Sequence, residues 1–193
     1  MKRIVVFCGS SAGHDRVYME QATLLGAALA QKNLTLVYGG AKVGLMGAVA
    51  DGALKAGGPV IGVLPHFLQQ KELAHEGLTE LILVDTMHER KTKMNELCDG
   101  VIALPGGFGT MEELFEMLTW GQLGLHKKPI GLLNVNGFYD PLVELSKTMT
   151  SNGFLSAENR DMLLCSTDIS DLLLQMEQYQ PPANSKWITS AQS

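Results

Sequence analysis

The chain has 193 residues, 46% of them apolar and 18% charged, and its 20 acids against 15 Lys plus Arg leave a net charge of −5. This is the balance of a globular chain with a real core, and its acidity argues against a protein whose affinity rests on neutralising nucleic-acid phosphates. No apolar run approaches the roughly 18 residues of a membrane-spanning helix, so neither nucleic acid nor a membrane is expected as a partner.

Lys2-Arg3 followed by Ile4 to Cys8 imitates the start of a signal peptide. The apolar stretch stops at Gly9-Ser10-Ser11, however, so it reads as a strand. Val17, Leu24, Leu25, Ala28 and Leu29 then fall on one stripe while Asp15, Arg16, Glu20, Gln31 and Lys32 fall on the other, which predicts an amphipathic crossover helix. Further short apolar runs follow at Leu34 to Tyr38, Val60 to Leu64, Leu81 to Val84, Val101 to Leu104 and Ile130 to Leu133. Runs of this kind are strands buried on both faces, and helical spacing between them makes repeated β-α units. In Met87 to Met94 a helix would align Met87, Arg90, Met94 and Leu97. Another should start near Thr110, where Met111, Leu114, Phe115 and Leu118 repeat, and end near Gly124 before Pro129 opens the next strand. The expected product is a doubly wound α/β fold, a parallel sheet with helices on both faces, in a single domain over residues 1–178. Residues 179–193 are polar apart from Trp187 and Ile188 and read as a loose tail.

Cys8, Cys98 and Cys165 are odd in number and widely spaced, which suggests reduced thiols in a cytoplasm rather than disulfides. Neither they nor the five histidines show metal-ligand spacing, so no metal is expected.

Ligands of open parallel sheets bind beyond the carboxyl ends of strands, and here those loops are rich in glycine: Gly9 to Gly13, Gly39 to Gly44 and Pro105 to Thr110. Glycine lets a backbone approach a ligand closely, and a following helix aims N–H groups at an anion, so a phosphate cradle is the natural inference. The dinucleotide fingerprint is absent, and the Walker A pattern fails because Leu45 stands where Lys is required. A mononucleotide or sugar phosphate remains. Arg90, on an otherwise apolar stripe, needs an anionic partner if it is buried, either a ligand's phosphate or carboxylate, or a structural acid such as Asp85 or Glu72; the alternative is that it snorkels to solvent. Glu112 and Glu113 open the helix after the third loop. Thr110 as N-cap with Glu113 three residues on would make a capping box; alternatively a carboxylate beside the cradle would stabilise an oxocarbenium-like centre or activate water.

Pro105-Gly106-Gly107-Phe108-Gly109-Thr110-Met111-Glu112-Glu113 fits a P-G-G-x-G-T-x-x-E signature, and Met87-His88-Glu89-Arg90-Lys91 fits M-x-x-R-K. Together with Cys8 to Ser11, Tyr38-Gly39-Gly40 and Val43 to Gly47, these motifs resemble the LOG ("Lonely Guy") family of cytokinin riboside 5'-monophosphate phosphoribohydrolases, historically mislabelled lysine decarboxylases. Ala41-Lys42 departs from the family pattern. The resemblance implies a Rossmann-like homodimer that hydrolyses the N-glycosidic bond of a nucleoside 5'-monophosphate without metal or redox cofactor. It implies Arg90 and Glu113 as the catalytic pair. Gly106, Gly107, Phe108, Gly109, Thr110 and Met111 would hold the substrate, with Glu72, Lys91, Glu112 and Thr119 lining the rest of the nucleotide site. Met94, Met111, Met117 and Trp120 are expected near the dimer interface. Decarboxylation would need an electron sink such as pyridoxal phosphate, for which the chain shows no context. The alternative from another class is a non-catalytic nucleotide or molybdopterin carrier.

Overall fold

A computed structural model describes residues 1–69 and 74–182. Along the chain run β1 (Arg3–Phe7), α1 (Arg16–Gln31), β2 (Thr35–Tyr38), α2 (Gly44–Lys55), β3 (Val60–Pro65), α3 (His66–Gln69), β4 (Glu80–Val84) and α4 (Met87–Leu97). They are followed by β5 (Gly100–Ala103), α5 (Phe108–Gln122), β6 (Ile130–Leu133), α6 (Asp140–Ser151), α7 (Ala157–Arg160), β7 (Leu163–Ser166) and α8 (Ile169–Gln178). All seven strands are parallel, in the order β4-β3-β2-β1-β5-β6-β7. The winding reverses between β1 and β5, which opens a crevice at their carboxyl ends.

The alternation of a strand divides the core into two layers. Ile4, Val6, Leu36, Tyr38, Ile102 and Leu104 point to the layer closed by α1, α2 and α8. Val5, Phe7, Val37, Val101 and Ala103 point to the layer with Met94, Leu114 and Met117 from α4 and α5. Burying one such side chain contributes about 1.5–3 kcal/mol, so the five-residue strand β1, buried from Ile4 onward, is an anchor of the whole sheet.

The six expected strands are present, and the structure adds β7. The expectation of burial on both faces fails at the sheet's edges, since β4 and β7 are only half-covered. The predicted stripe of α1 is also corrected: Leu24 is exposed, and the buried face is Ala22, Leu25, Gly26 and Leu29. The reason is close backbone packing. A side chain at Gly26 would collide with the backbone of Val49 and Ala53 on α2, and one at Gly52 would collide with Thr23 on α1. Met94 and Met117, expected near a dimer interface, are core residues, while Met111 and Trp120 are partly buried against the same core. Among the described residues no helix is long and apolar enough to cross a membrane.

Candidate active site

The crevice is built by three loops that hold one another. Gly9 N–H donates to Pro105 O at 3.0 Å, and Leu45 N–H donates to Gly9 O at 3.1 Å. Tyr139 Oη donates to Leu104 O at 2.7 Å, at the root of the Pro105–Gly107 turn. A side chain at Gly106 would run into Thr110, so that turn can lie flat on α5 only as glycine. The result is a cavity of about 300 Å³ lined by Cys8, Gly9, Ser10, Met46, Arg90, Gly107, Phe108, Gly109, Thr110 and Glu113.

One wall of it is the N-terminus of α5. Gly107 is its N-cap in extended conformation, and no side chain caps the helix. The N–H groups of Phe108, Gly109 and Thr110 precede the first intrahelical bond, from Met111 N–H to Gly107 O at 3.1 Å. Side chains built at Gly107 or Gly109 would meet no protein atom within 4 Å, so the space beside these donors is open. Thr110 is therefore not the N-cap that its sequence context suggests. It is a buried residue within the first turn, and the expected capping box with Glu113 does not form. This removes the bland explanation for Glu113, which stands one and a half turns into the helix.

The facing wall carries Arg90, which is buried. Thr86 caps α4 by accepting from Glu89 N–H at 3.1 Å, and this start directs Arg90 inward. Its Nε donates to Val63 O at 3.1 Å and its Nη2 to Gly39 O at 3.0 Å. No ion pair among the described residues includes Arg90, and the structural pairing with Asp85 weighed from sequence is not made, since Asp85 lies near His66 at 3.9 Å instead. A buried guanidinium held by carbonyls retains its charge and donors for an anion. Gly39 is the position that admits it, because any side chain there would collide with Nη2.

Burial pushes the Glu113 carboxyl up to about 7, against the opposing pull of the Arg90 charge, while Glu112 pushes it further upward. A carboxyl poised near neutrality suits proton transfer in water at ordinary pH. Burial likewise pushes the Cys8 thiol far up, so the sulfur on the cavity wall is a neutral thiol.

Of the residues expected at the site, Arg90, Gly107, Phe108, Gly109, Thr110 and Glu113 share this cavity, and Gly106 forms the floor of an adjoining pocket with Tyr18 and Phe138. Lys91 and Glu112 do not line it. Lys91 Nζ pairs with Glu112 at 2.6 Å and Glu116 at 3.0 Å, and the Glu112 hydrogen bond holds its ammonium above the usual range. Met111 packs against the core. Thr119, about 9 Å along the helix axis from Glu113, lines a separate apolar groove with Phe115, Leu118 and Leu142. Glu72 lies outside the described residues. Cys8, Ser10 and Met46 were given no role from sequence, although the motifs Cys8 to Ser11 and Val43 to Gly47 contain them. Among the described residues no cluster of His, Cys, Asp and Glu is placed to hold a metal ion.

The winding order makes this a Rossmann-like α/β protein, with the candidate cavity at the switch point of the sheet. Residues 46–176 match a family model described as "Possible lysine decarboxylase". The chain is 48% identical over 177 residues to a "Probable cytokinin riboside 5'-monophosphate phosphoribohydrolase" of Oryza sativa subsp. japonica, covering 92% of this chain and 79% of that relative. It is 44% identical over 180 residues to a cytokinin riboside 5'-monophosphate phosphoribohydrolase of Arabidopsis thaliana, covering 93% and 84%. Among solved structures, the molybdenum cofactor carrier protein of Chlamydomonas reinhardtii superposes with a TM-score of 0.70 at 23% identity, over 92% of this chain and 96% of that one. At that identity the likeness concerns the fold. The chain belongs to the LOG family of phosphoribohydrolases.

Proposed function

We propose that this protein hydrolyses the N-glycosidic bond of a nucleoside 5'-monophosphate, an adenine or cytokinin nucleotide, to free base and ribose 5-phosphate. The observation that carries the reading is the placement of a half-buried carboxyl with a value near 7 and a carbonyl-held arginine on the wall of a cavity that also contains an uncapped helix N-terminus. The N–H groups of Phe108, Gly109 and Thr110 take the phosphate, assisted by the positive end of the helix dipole. Glu113, ionised, faces the ribose C1 as positive charge develops there, and it accepts a proton from the attacking water. The water oxygen ends on C1, the C–N bond electrons leave with the base, and the proton is passed to the base. Arg90 donates its remaining N–H groups to the substrate and holds Glu113 towards its ionised form. No cofactor takes part in this scheme.

The active form in this reading is a cytoplasmic homodimer. The groove between α5 and α6, where Thr119, Phe115 and the exposed Phe154 lie, is the surface a second copy would cover. That arrangement would give Thr119 a place near a substrate that it lacks within one chain. The carrier alternative has less support, because the relatives of 43–48% identity are named as hydrolases and the likeness to the carrier is one of fold. The test is incubation with AMP and with isopentenyladenosine monophosphate, followed by chromatography of the free base. Release of base with equimolar ribose 5-phosphate is expected; tight binding with no release would establish the carrier instead.

A further inference from the structure

Of the two carbonyls that hold Arg90, that of Val63 lies in β3 and that of Gly39 in the turn just after β2, and this turn is tied to residues 74 and 75 outside the cavity. His75 N–H donates to Gly40 O at 3.0 Å, and Ala74 forms an antiparallel bridge with Ala41. Ala74 and His75 are thereby laid along the turn after β2, one residue from the Gly39 carbonyl that accepts from Arg90 Nη2. The His75 ring fixes this contact from both of its nitrogens. Gly77 N–H donates to Nδ1 at 3.1 Å, which leaves Nε2 as the ring nitrogen free to donate. Nε2 faces Asp51 Oδ1 of α2 at 3.2 Å. The His75 side chain is only 12% exposed, although Asp51 stands largely in solvent. A half-exposed pair of this kind contributes little to stability by itself. Its geometry, a carboxylate orienting an imidazole that organises a loop, is instead that of a support.

We propose that His75 and Asp51 are positioning residues for Arg90: their contact clamps residues 74–77 against the turn after β2, so that the Gly39 carbonyl stays where the guanidinium requires it. Neither residue lines the cavity. With the clamp released, the Gly39–Gly40 turn moves, Arg90 loses one of its two backbone acceptors, and its charge withdraws from Glu113.

The inference rests on the proposed role of the Arg90 and Glu113 pair, and the test reads their coupling without relying on turnover. Titration of the Glu113 carboxyl by carbon NMR, assigned by its disappearance in Glu113→Gln, is compared in the parent and in His75→Ala. The other groups around Glu113 are unchanged by that substitution: Lys91 from α4, Glu112 and Glu116 on its own helix, and Cys8 just after β1. The expected result is an upward move of the Glu113 midpoint in His75→Ala. With it come a fall of about tenfold in kcat for AMP, the equivalent of about 1.4 kcal/mol in the barrier, and a KM within about threefold of the parent. His75→Gln retains a donor for Asp51 and should restore part of both, and Asp51→Ala should resemble His75→Ala. An unmoved Glu113 midpoint overturns the inference, whether or not kcat falls, because a loss without that shift belongs to the general fold. If the parent itself releases no base from either nucleotide, the hydrolase reading fails, and the midpoint still decides whether the clamp positions Arg90.

Discussion

Two helices of this molecule begin in glycine-rich loops, and they use glycine for opposite ends. At the start of α2, Gly44 adopts φ +55°, and any side chain on it would strike the backbone of Ser10; Gly47 likewise lies against Lys42. Leu45 N–H is spent on Gly9 O, so this helix start is closed by protein. At the start of α5, Gly107 and Gly109 leave open space, and the first N–H groups await a partner. Elsewhere α1, α4, α7 and α8 are capped by Asp15, Thr86, Ser156 and Asp168. A missing side-chain cap therefore leaves helix N–H groups available only where neighbouring backbone does not close the helix start.

The comparison can be broken most severely at Glu113. Glu113→Gln should keep the fold and lose on the order of 10²- to 10⁴-fold in kcat, the range for a positioned acid-base group, while substrate binding persists. Activity within a few-fold of the parent would return Glu113 to a structural role. Next in size is Arg90→Lys. A single ammonium cannot span the Val63 and Gly39 carbonyls and also serve a ligand, so kcat/KM should fall on the order of 10²-fold, the cost of one or two charge-assisted hydrogen bonds.

The glycines sharpen the contrast directly. Gly107→Ala should leave the melting temperature unchanged and raise KM about tenfold, or about 1.4 kcal/mol of binding, because the added methyl occupies ligand space. Gly44→Ala should act chiefly on the fold, costing about 1–3 kcal/mol of stability, with any rise in KM following from displacement of Ser10. Equal behaviour of the two variants in melting and steady-state assays would erase the distinction. The smallest effect is one of pH. Because the folded-state value of Glu113 is raised to about 7, its contribution to stability is present below its unfolded value and is lost as pH rises through 7. Glu113→Gln is free of that loss, so its melting temperature should gain on the parent's by a few °C between pH 5 and pH 8.

Much of this arrangement is legible in the sequence, for physical reasons. Central strands such as Ile4 to Phe7 are apolar throughout because both faces are covered, whereas Leu163–Ser166 is a half-covered edge strand whose four residues carry little signal. The glycine loops and the lone guanidinium on an apolar stripe point to the crevice, and Arg90 and Glu113 do share it. Large apolar residues mislead where small ones make the contact: Leu24 looks like core, yet Gly26 and Gly52 set the α1–α2 approach. The Thr110-x-x-Glu113 pattern imitates a capping box because local spacing cannot tell that Gly107 already begins the helix. Lys91 and Glu112 illustrate a further limit, since only the fold shows that they satisfy each other.

In the proposed reaction the open start of α5 is the phosphate cradle and Glu113 stands at the scissile bond. A crystal structure of Glu113→Gln soaked with AMP tests this most directly. The prediction is a phosphate on the N–H groups of Phe108, Gly109 and Thr110, with the ribose C1 turned towards residue 113 and Arg90 within hydrogen-bond reach of the nucleotide. A phosphate seated elsewhere, or a ribose turned away from residue 113, would contradict it.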